Sequence, residues 1–358
     1  MIFYIINLII ILIITIMSEK IINKRVISKS SAAWIVSIIL ILISGLRDNV
    51  GTDSMTYFQF YKTIPNYEMS IFFNGEYNYI TSFEKGFGMI VWAIGKIVIN
   101  PIFITIIIAA ITIIPIIFTI KSYSKYFSFS IFLYITTMCY YSSFNGVRQW
   151  VACSILFWGI RYVFNKEFIK YSCIVLLATC IHVSAFIFFI VYFIVNCKPW
   201  SKKIIILCLL TIGLVIFLPE IFEIMSKIAS GDNQKYFIIK ENDAGINIIR
   251  ILVAAIPVVI GLIFNNKLIT KDDNYRVFIN FSLLNLIFKI LATQKNVINR
   301  FSLYFEIYNV FLIPLFLLIF CKKERKLVSA IIMACYLAYM IFLLPSQGNL
   351  LPYKTILF

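Results

Sequence analysis

Six ionisable side chains stand at the ends of long apolar runs or within them and could do chemistry: Arg47, Asp53, Glu84, Arg148, His182 and Arg300. An arginine forks onto phosphate oxygens and keeps its charge at any pH. A carboxylate or an imidazole accepts a proton from a hydroxyl, and His182, in ATCIHVSAFIFF, is the chain's single histidine. Arg148 lies in YYSSFNGVRQWVA, where Asn145 and Gly146 read as a turn and Gln149 opens an apolar helix. Arg300, in QKNVINRFSLYF, stands at another helix mouth. Each has a plainer reading. An arginine can snorkel to a membrane interface, and a lone histidine among apolar residues is more often a satisfied core group. In GLRDNVGTDSMTYFQFY, residues 45–61, the charges Arg47, Asp48 and Asp53 are followed by Tyr57, Phe58, Phe60 and Tyr61, which alone would make an aromatic anchor.

Several chemistries have no signature. There is no HExxH, P-loop, paired acid of the DxD kind or Ser-His-Asp order, and the cysteines lack CxxC or Cys/His spacing. They are expected to be small buried hydrophobes. Asp272 and Asp273, beside Lys271 and Arg276, read as a solvated turn. Arg148 and Arg250 are each followed eleven positions later by a glycine, Gly159 and Gly261, a spacing that supports other evidence only.

The elements that must position these groups follow from composition. The 358 residues are 61% hydrophobic and 13% charged, roughly half the charged fraction of a soluble domain. The expected fold is all-α, a polytopic transmembrane bundle of about 11 (10–13) membrane helices forming a single integral membrane domain, residues 1–358. Helices are expected over 1–17, 31–46, 101–120, 127–144, 147–165, 171–196, 203–219, 247–264, 277–292, 301–320 and 327–344. Two longer polar loops, 47–85 and 220–246, remain, the first an external loop carrying short amphipathic helices. The net charge of +16 sits in short links between apolar runs. That is the positive-inside pattern and not a nucleic-acid surface. The first helix lacks a basic n-region and a cleavage site, so it is read as uncleaved.

Parity sharpens the topology. If 86–99 lies flat in the interface and 171–196 breaks near His182, the basic links 18–33, 121–125, 161–170, 196–203, 265–276 and 321–326 all become cytoplasmic. Arg47, Asp53, Glu84, Arg148, His182 and Arg300 then reach the external half of the membrane.

The motifs GLRDNVGTDSMTYF, FEKGFGMI, FNGVRQWVA, IHVSAFIFFIVYF, NRFSLYF and the tail LPYKTILF, in this order from about Gly45 onward, resemble the EpsG family of bacterial exopolysaccharide and capsule clusters, similar in role to Wzy-type polymerases. The resemblance implies a membrane glycosyltransferase of the cytoplasmic membrane with its active face external. It would transfer glycan from undecaprenyl diphosphate onto a lipid-linked repeat unit, with no sugar nucleotide, no cofactor and no obligatory metal. It assigns Arg148, Arg300 and Arg47 to the diphosphate and His182 or Asp53 to proton abstraction, with Arg148 counted catalytic. Glu84, Asn145, Gln149 and Arg250 are further candidates. Expected partners are the lipid-linked oligosaccharide, membrane lipid and a chain-length regulator. A lipid-linked saccharide flippase would instead show repeats and a central polar path; a glycan ligase would use the same cations.

Overall fold

The computed structural model describes residues 1–19, 26–207, 209–210, 245–293 and 298–357. Lys20, Lys24 and Arg25, most of the 203–219 helix and nearly all of the 220–246 loop lie outside the described residues. Among those described the architecture is helical, and the strand-like pairing is a single antiparallel bridge between Arg47 and Thr355. The chain divides into two compact units, 1–189 with 322–358, and 190–321.

The first unit holds α1 (Ile2–Met17), α2 (Lys29–Gly45), α3 (Ser54–Thr63), α4 (Tyr77–Ile80), α5 (Lys85–Ile97), α6 (Pro101–Tyr123), α7 (Phe127–Thr136), α8 (Cys139–Ser142), α9 (Val147–Trp158), α10 (Ile160–Phe164) and α11 (Phe168–Ile181). Side-chain caps set the starts of α2 and α6. Ser28 Oγ accepts from the Ser31 amide at 3.0 Å, and Asn100 Oδ1 accepts from the Ile102 amide at 2.9 Å with Pro101 in the first turn. Along α1 and α2 the exposed residues Ile2, Ile6, Ile9, Ile13, Ile35, Ile38 and Leu42 recur at helical spacing. So continuous an apolar surface is compatible with lipid and not with water.

The helices α2 and α6 run antiparallel. Gly45 meets Ile106 at one end, and Lys121 Nζ donates to Ser30 Oγ at 3.0 Å at the other. The helices α9 and α10 carry the chain from Val147 to Phe164, whose ring meets Tyr123 beside Lys121. α11 then returns and ends at His182. One end of this unit therefore gathers Ser30, Lys121 and Phe164, and the opposite end gathers Gly45, Pro101, Val147 and His182.

The expected loop 47–85 is a folded cap. Tyr57, Phe60, Tyr61, Ile64, Phe72 and Tyr77 pack with Phe87, Val91, Ile104, Val147 and Ile181 in one apolar core. Buried aromatic area of this kind stabilises by about 25 cal/mol per Å2. The C-terminal tail latches onto the entry to the cap. Asp48 N donates to Lys354 O and Ile356 N to Leu46 O, both at 3.0 Å, and Tyr353 donates to Ile43 O while stacking on Phe3.

The second unit contains most of α12 (Phe188–Val195), then α13 (Ile248–Ile263), α14 (Asn265–Ile269), α15 (Tyr275–Leu291), α16 (Asn299–Glu306) and α17 (Asn309–Leu315). α15 is its axis: Phe281 stacks on Tyr308, and Lys289 pairs with Glu306 at 3.2 Å. α18 (Glu324–Leu343) belongs to the first unit.

Three expectations change. Residues 127–144 are not one helix, because Met138 adopts a left-handed conformation (φ 71°) between α7 and α8. The 301–320 run bends by 53° between α16 and the helical segment starting at Asn309. The number of spans is not among these changes: among the described residues Pro101–Tyr123 and Glu324–Ser346 are by themselves long and apolar enough to cross a membrane, the bent pair Asn299–Glu306 and Asn309–Ile319 is one more candidate, and shorter apolar helices have 10–17 residues. Cys139 and Cys153 are buried, but Cys173, Cys180 and Cys335 are exposed on apolar helices, which turn apolar side chains outward toward lipid, and Cys321 is exposed in the link before Glu324.

Candidate active site

At the Gly45–His182 end of the first unit, Glu84 organises a three-residue cluster. It precedes α5 with an extended backbone and is reached through a turn in which the Phe83 amide donates to Thr81 Oγ1. Gly86, two residues on, makes the approach possible. A Cβ there would lie 2.3 Å from the backbone oxygen of Cys180, so only glycine lets the start of α5 touch the end of α11. At that end His182 breaks the helix with an extended backbone (φ −150°, ψ 113°), and a 3-10 turn follows over Val183–Ile187.

The two Glu84 oxygens serve different partners. Oε1 lies 2.7 Å from His182 Nδ1 and accepts the Val183 amide at 3.2 Å; Oε2 accepts from an Arg148 Nη. Burial alone would raise the Glu84 pKa, but the hydrogen bond from His182 and the positive charges of Arg148 and His182 outweigh it and hold it at about 2. An ionised carboxylate can only accept, so Nδ1 must be the nitrogen carrying hydrogen. In the neutral ring Nε2 is then the acceptor, aimed away from Glu84. This is the carboxylate–imidazole arrangement of a positioned general base.

Arg148 sits in the first turn of α9, with Phe83 beneath its guanidinium at 3.9 Å and its amide donating to the Tyr57 hydroxyl at 3.4 Å. The three side chains retain 18–19% exposure, enough for a ligand to reach them while water is largely excluded. Low dielectric of this kind strengthens charge–charge interactions.

Among the other predicted residues of this unit, Arg47, Asn145 and Asp53 make contacts of their own. Arg47 donates to Ser44 O, Ser44 Oγ and Phe144 O and lies over the Phe144 ring, so its guanidinium ties α2 to the turn before α9. Asp48 and Asn49 do not tie it; both are exposed. Asn145 Oδ1 accepts from the Thr52 amide at 2.7 Å, joining the cap to the same turn. Asp53 is half-buried, takes only a 3.4 Å contact from Thr52, and is not joined to Glu84, Arg148 or His182. Gln149 is buried in the first turn of α9. Arg250 and Arg300 belong to the second unit, half-buried and exposed respectively. The Arg-to-Gly spacing has a packing explanation: Gly159 admits Ile174 of α11, and Gly261 admits Ile279 of α15.

Sequence reasoning placed Glu84 at the margin. Its position before a glycine pair, in FEKGFG, was the available signal. Phe83 was missed, Tyr57 was read only as part of an aromatic anchor and the tail only as a family motif, since an aromatic or a backbone partner carries no chemical label in a sequence.

Apolar helices around a partly exposed carboxylate–imidazole–guanidinium cluster define a polytopic helical membrane protein. The chain belongs to the EpsG family, which matches residues 32–355 of its 358. No curated protein and no solved structure matches it. Membership makes it a polysaccharide-polymerase-like protein of glycosyltransferase character.

Proposed function

We propose that the chain is a Wzy-like polymerase. It would move glycan from undecaprenyl diphosphate onto the sugar of a lipid-linked repeat unit, at the external face of the cytoplasmic membrane, in capsule or exopolysaccharide synthesis. The observation that carries the reading is the shared carboxylate, Glu84, which holds a base and a cation side by side. In the reaction an acceptor hydroxyl attacks the anomeric carbon of the donor, and the bond from that carbon to the diphosphate oxygen breaks. The hydroxyl proton passes to His182 Nε2, and Glu84 steadies the imidazolium that forms. Negative charge gathers on the departing diphosphate, where Arg148 stabilises it. An arriving diphosphate competes with Glu84 for the guanidinium, and the released carboxylate is then left to His182. Arg47 positions the turn before Arg148, and Arg250 and Arg300 carry no part of this reading.

The test is the length distribution of lipid-linked glycan in cells lacking the native gene and expressing His182→Ala at matched protein levels. Removing a positioned base should lower chain extension by about 10² to 10⁴ and leave single repeat units at the surface. Wild-type polymer lengths would overturn the reading. Loss of all exported carbohydrate would indicate a flippase, and long chains retained on the carrier a ligase.

A further inference from the structure

A second place in the first unit has no part in the acid–base cluster. Between the end of α2, the cap helix α3, the first half of α6 and the turn before α9 lies a cavity of about 10 Å3. Ser44, Arg47, Tyr61, Thr105, Thr112 and Ser143 line it beside apolar groups. That is room for one molecule the size of water. Two of the lining donors are enclosed by protein: Arg47 Nε and the Tyr61 hydroxyl make no hydrogen bond to any protein atom. A donor buried in that way costs its full desolvation unless something in reach accepts from it.

We propose that this cavity is the binding site of a single ordered water, which accepts from Arg47 Nε and the Tyr61 hydroxyl and donates to hydroxyl oxygens across the cavity. The chemistry of the lining selects water over other occupants of that size. The hydroxyls of Thr105, Thr112 and Ser143 donate to Pro101 O, Ile108 O and Tyr140 O at 2.9, 2.9 and 2.6 Å. Their hydrogens are spent, so they offer the cavity only lone pairs. A small anion would suit the charge of Arg47 but not those lone pairs. A small cation would suit the lone pairs but not the guanidinium, and an apolar molecule would leave both donors orphaned. Water accepts on one side and donates on the other, and buried waters hold three such bonds on average. The Arg47 Nη groups are meanwhile held by Ser44 O, Ser44 Oγ and Phe144 O, which fixes the guanidinium around its remaining Nε. The water joins the end of α2, the cap through Tyr61, α6 through Thr112 and the turn before α9 through Ser143. It does not depend on the polymerase reading, and its failure would leave that reading untouched.

The test is an experimental density map of the full chain in a lipid environment, at a resolution that shows other buried waters. One peak is expected at about 2.7–3.2 Å from Arg47 Nε, from the Tyr61 oxygen and from the oxygen of Thr112 or Ser143. No peak there would overturn the proposal, as would a peak that gives an anomalous signal once bromide replaces chloride, since the occupant would then be a halide. A check in solution uses two near-isosteric changes, Tyr61→Phe and Thr112→Val, which remove one donor and one acceptor. Each should lower the unfolding temperature by about 1–4 °C. Because both groups hold the same water, the double variant should lose less than the two drops added together. Fully additive drops would mean that nothing in the cavity connects the two side chains. Should either variant fail to fold, the map of the unaltered chain decides alone.

Discussion

At the scale of single residues, the cluster turns on one carboxylate with two oxygens. Arg148 is held by Glu84 and by the Phe83 ring, so its charge and its planarity both matter. Arg148→Lys keeps the charge but loses the planar stack, and polymer output should fall at least about tenfold with protein levels unchanged. Arg148→Ala should cost about 10² to 10³. A helix-anchoring arginine would tolerate lysine, so wild-type chain lengths in the lysine variant would refute the phosphate role. Glu84 also carries a pH signature. Its folded-state pKa, about 2, lies below its ordinary value of 4.5. The ionised pair therefore stabilises the fold fully above the ordinary value, and that contribution disappears as pH falls through 4.5 toward 2. Thermal unfolding of detergent-solubilised protein between about pH 5 and pH 2 should show a decline that is shallower in Glu84→Gln. Parallel curves would mean that Glu84 is not held ionised by its neighbours.

At the scale of elements, the site exists because two helix ends touch. α5 reaches α11 only through Gly86, which faces the backbone of Cys180. Gly86→Ala leaves Glu84, Arg148 and His182 chemically intact but must separate the two ends, at a cost of about 1–3 kcal/mol for overpacking. Polymer formation should fall with it, and unfolding temperature should drop. Full activity in this variant would show that the Glu84–His182 contact is dispensable. The same elements explain why the sequence signalled only part of the site. The break at His182 was legible because a span of 26 residues, 171–196, is longer than one crossing needs and carries a lone polar ring near its middle. The break at Asn100-Pro101 was legible from proline chemistry. Met138 gave no such sign, because its left-handed backbone is imposed by the packing of α7 and α8 and not by its own side chain.

At the scale of the whole molecule, topology is the claim most open to test. Thr56, in the cap, and Ser122, beside Lys121 at the far end of α6, are both exposed. Cysteines introduced there, with the exposed native cysteines replaced, should differ in labelling by an impermeant reagent on intact cells. Thr56 should react and Ser122 should not; equal labelling would remove the external face on which the proposed reaction depends. The sequence by itself determined that the chain is helical and bound for a membrane, because apolar runs and the placement of lysines are properties of composition along the chain. It also determined which side chains were capable of chemistry, since His182 and the arginines are conspicuous against apolar surroundings. Only the tertiary structure decided that Glu84 stands between His182 and Arg148, that Asp53 stands apart, and that Arg47 is spent on Ser44 and Phe144. Apart from Ser44, the partners in these contacts are 64 to 98 positions away in the chain, brought together by which helix ends pack, and local pattern carries no information about such distances.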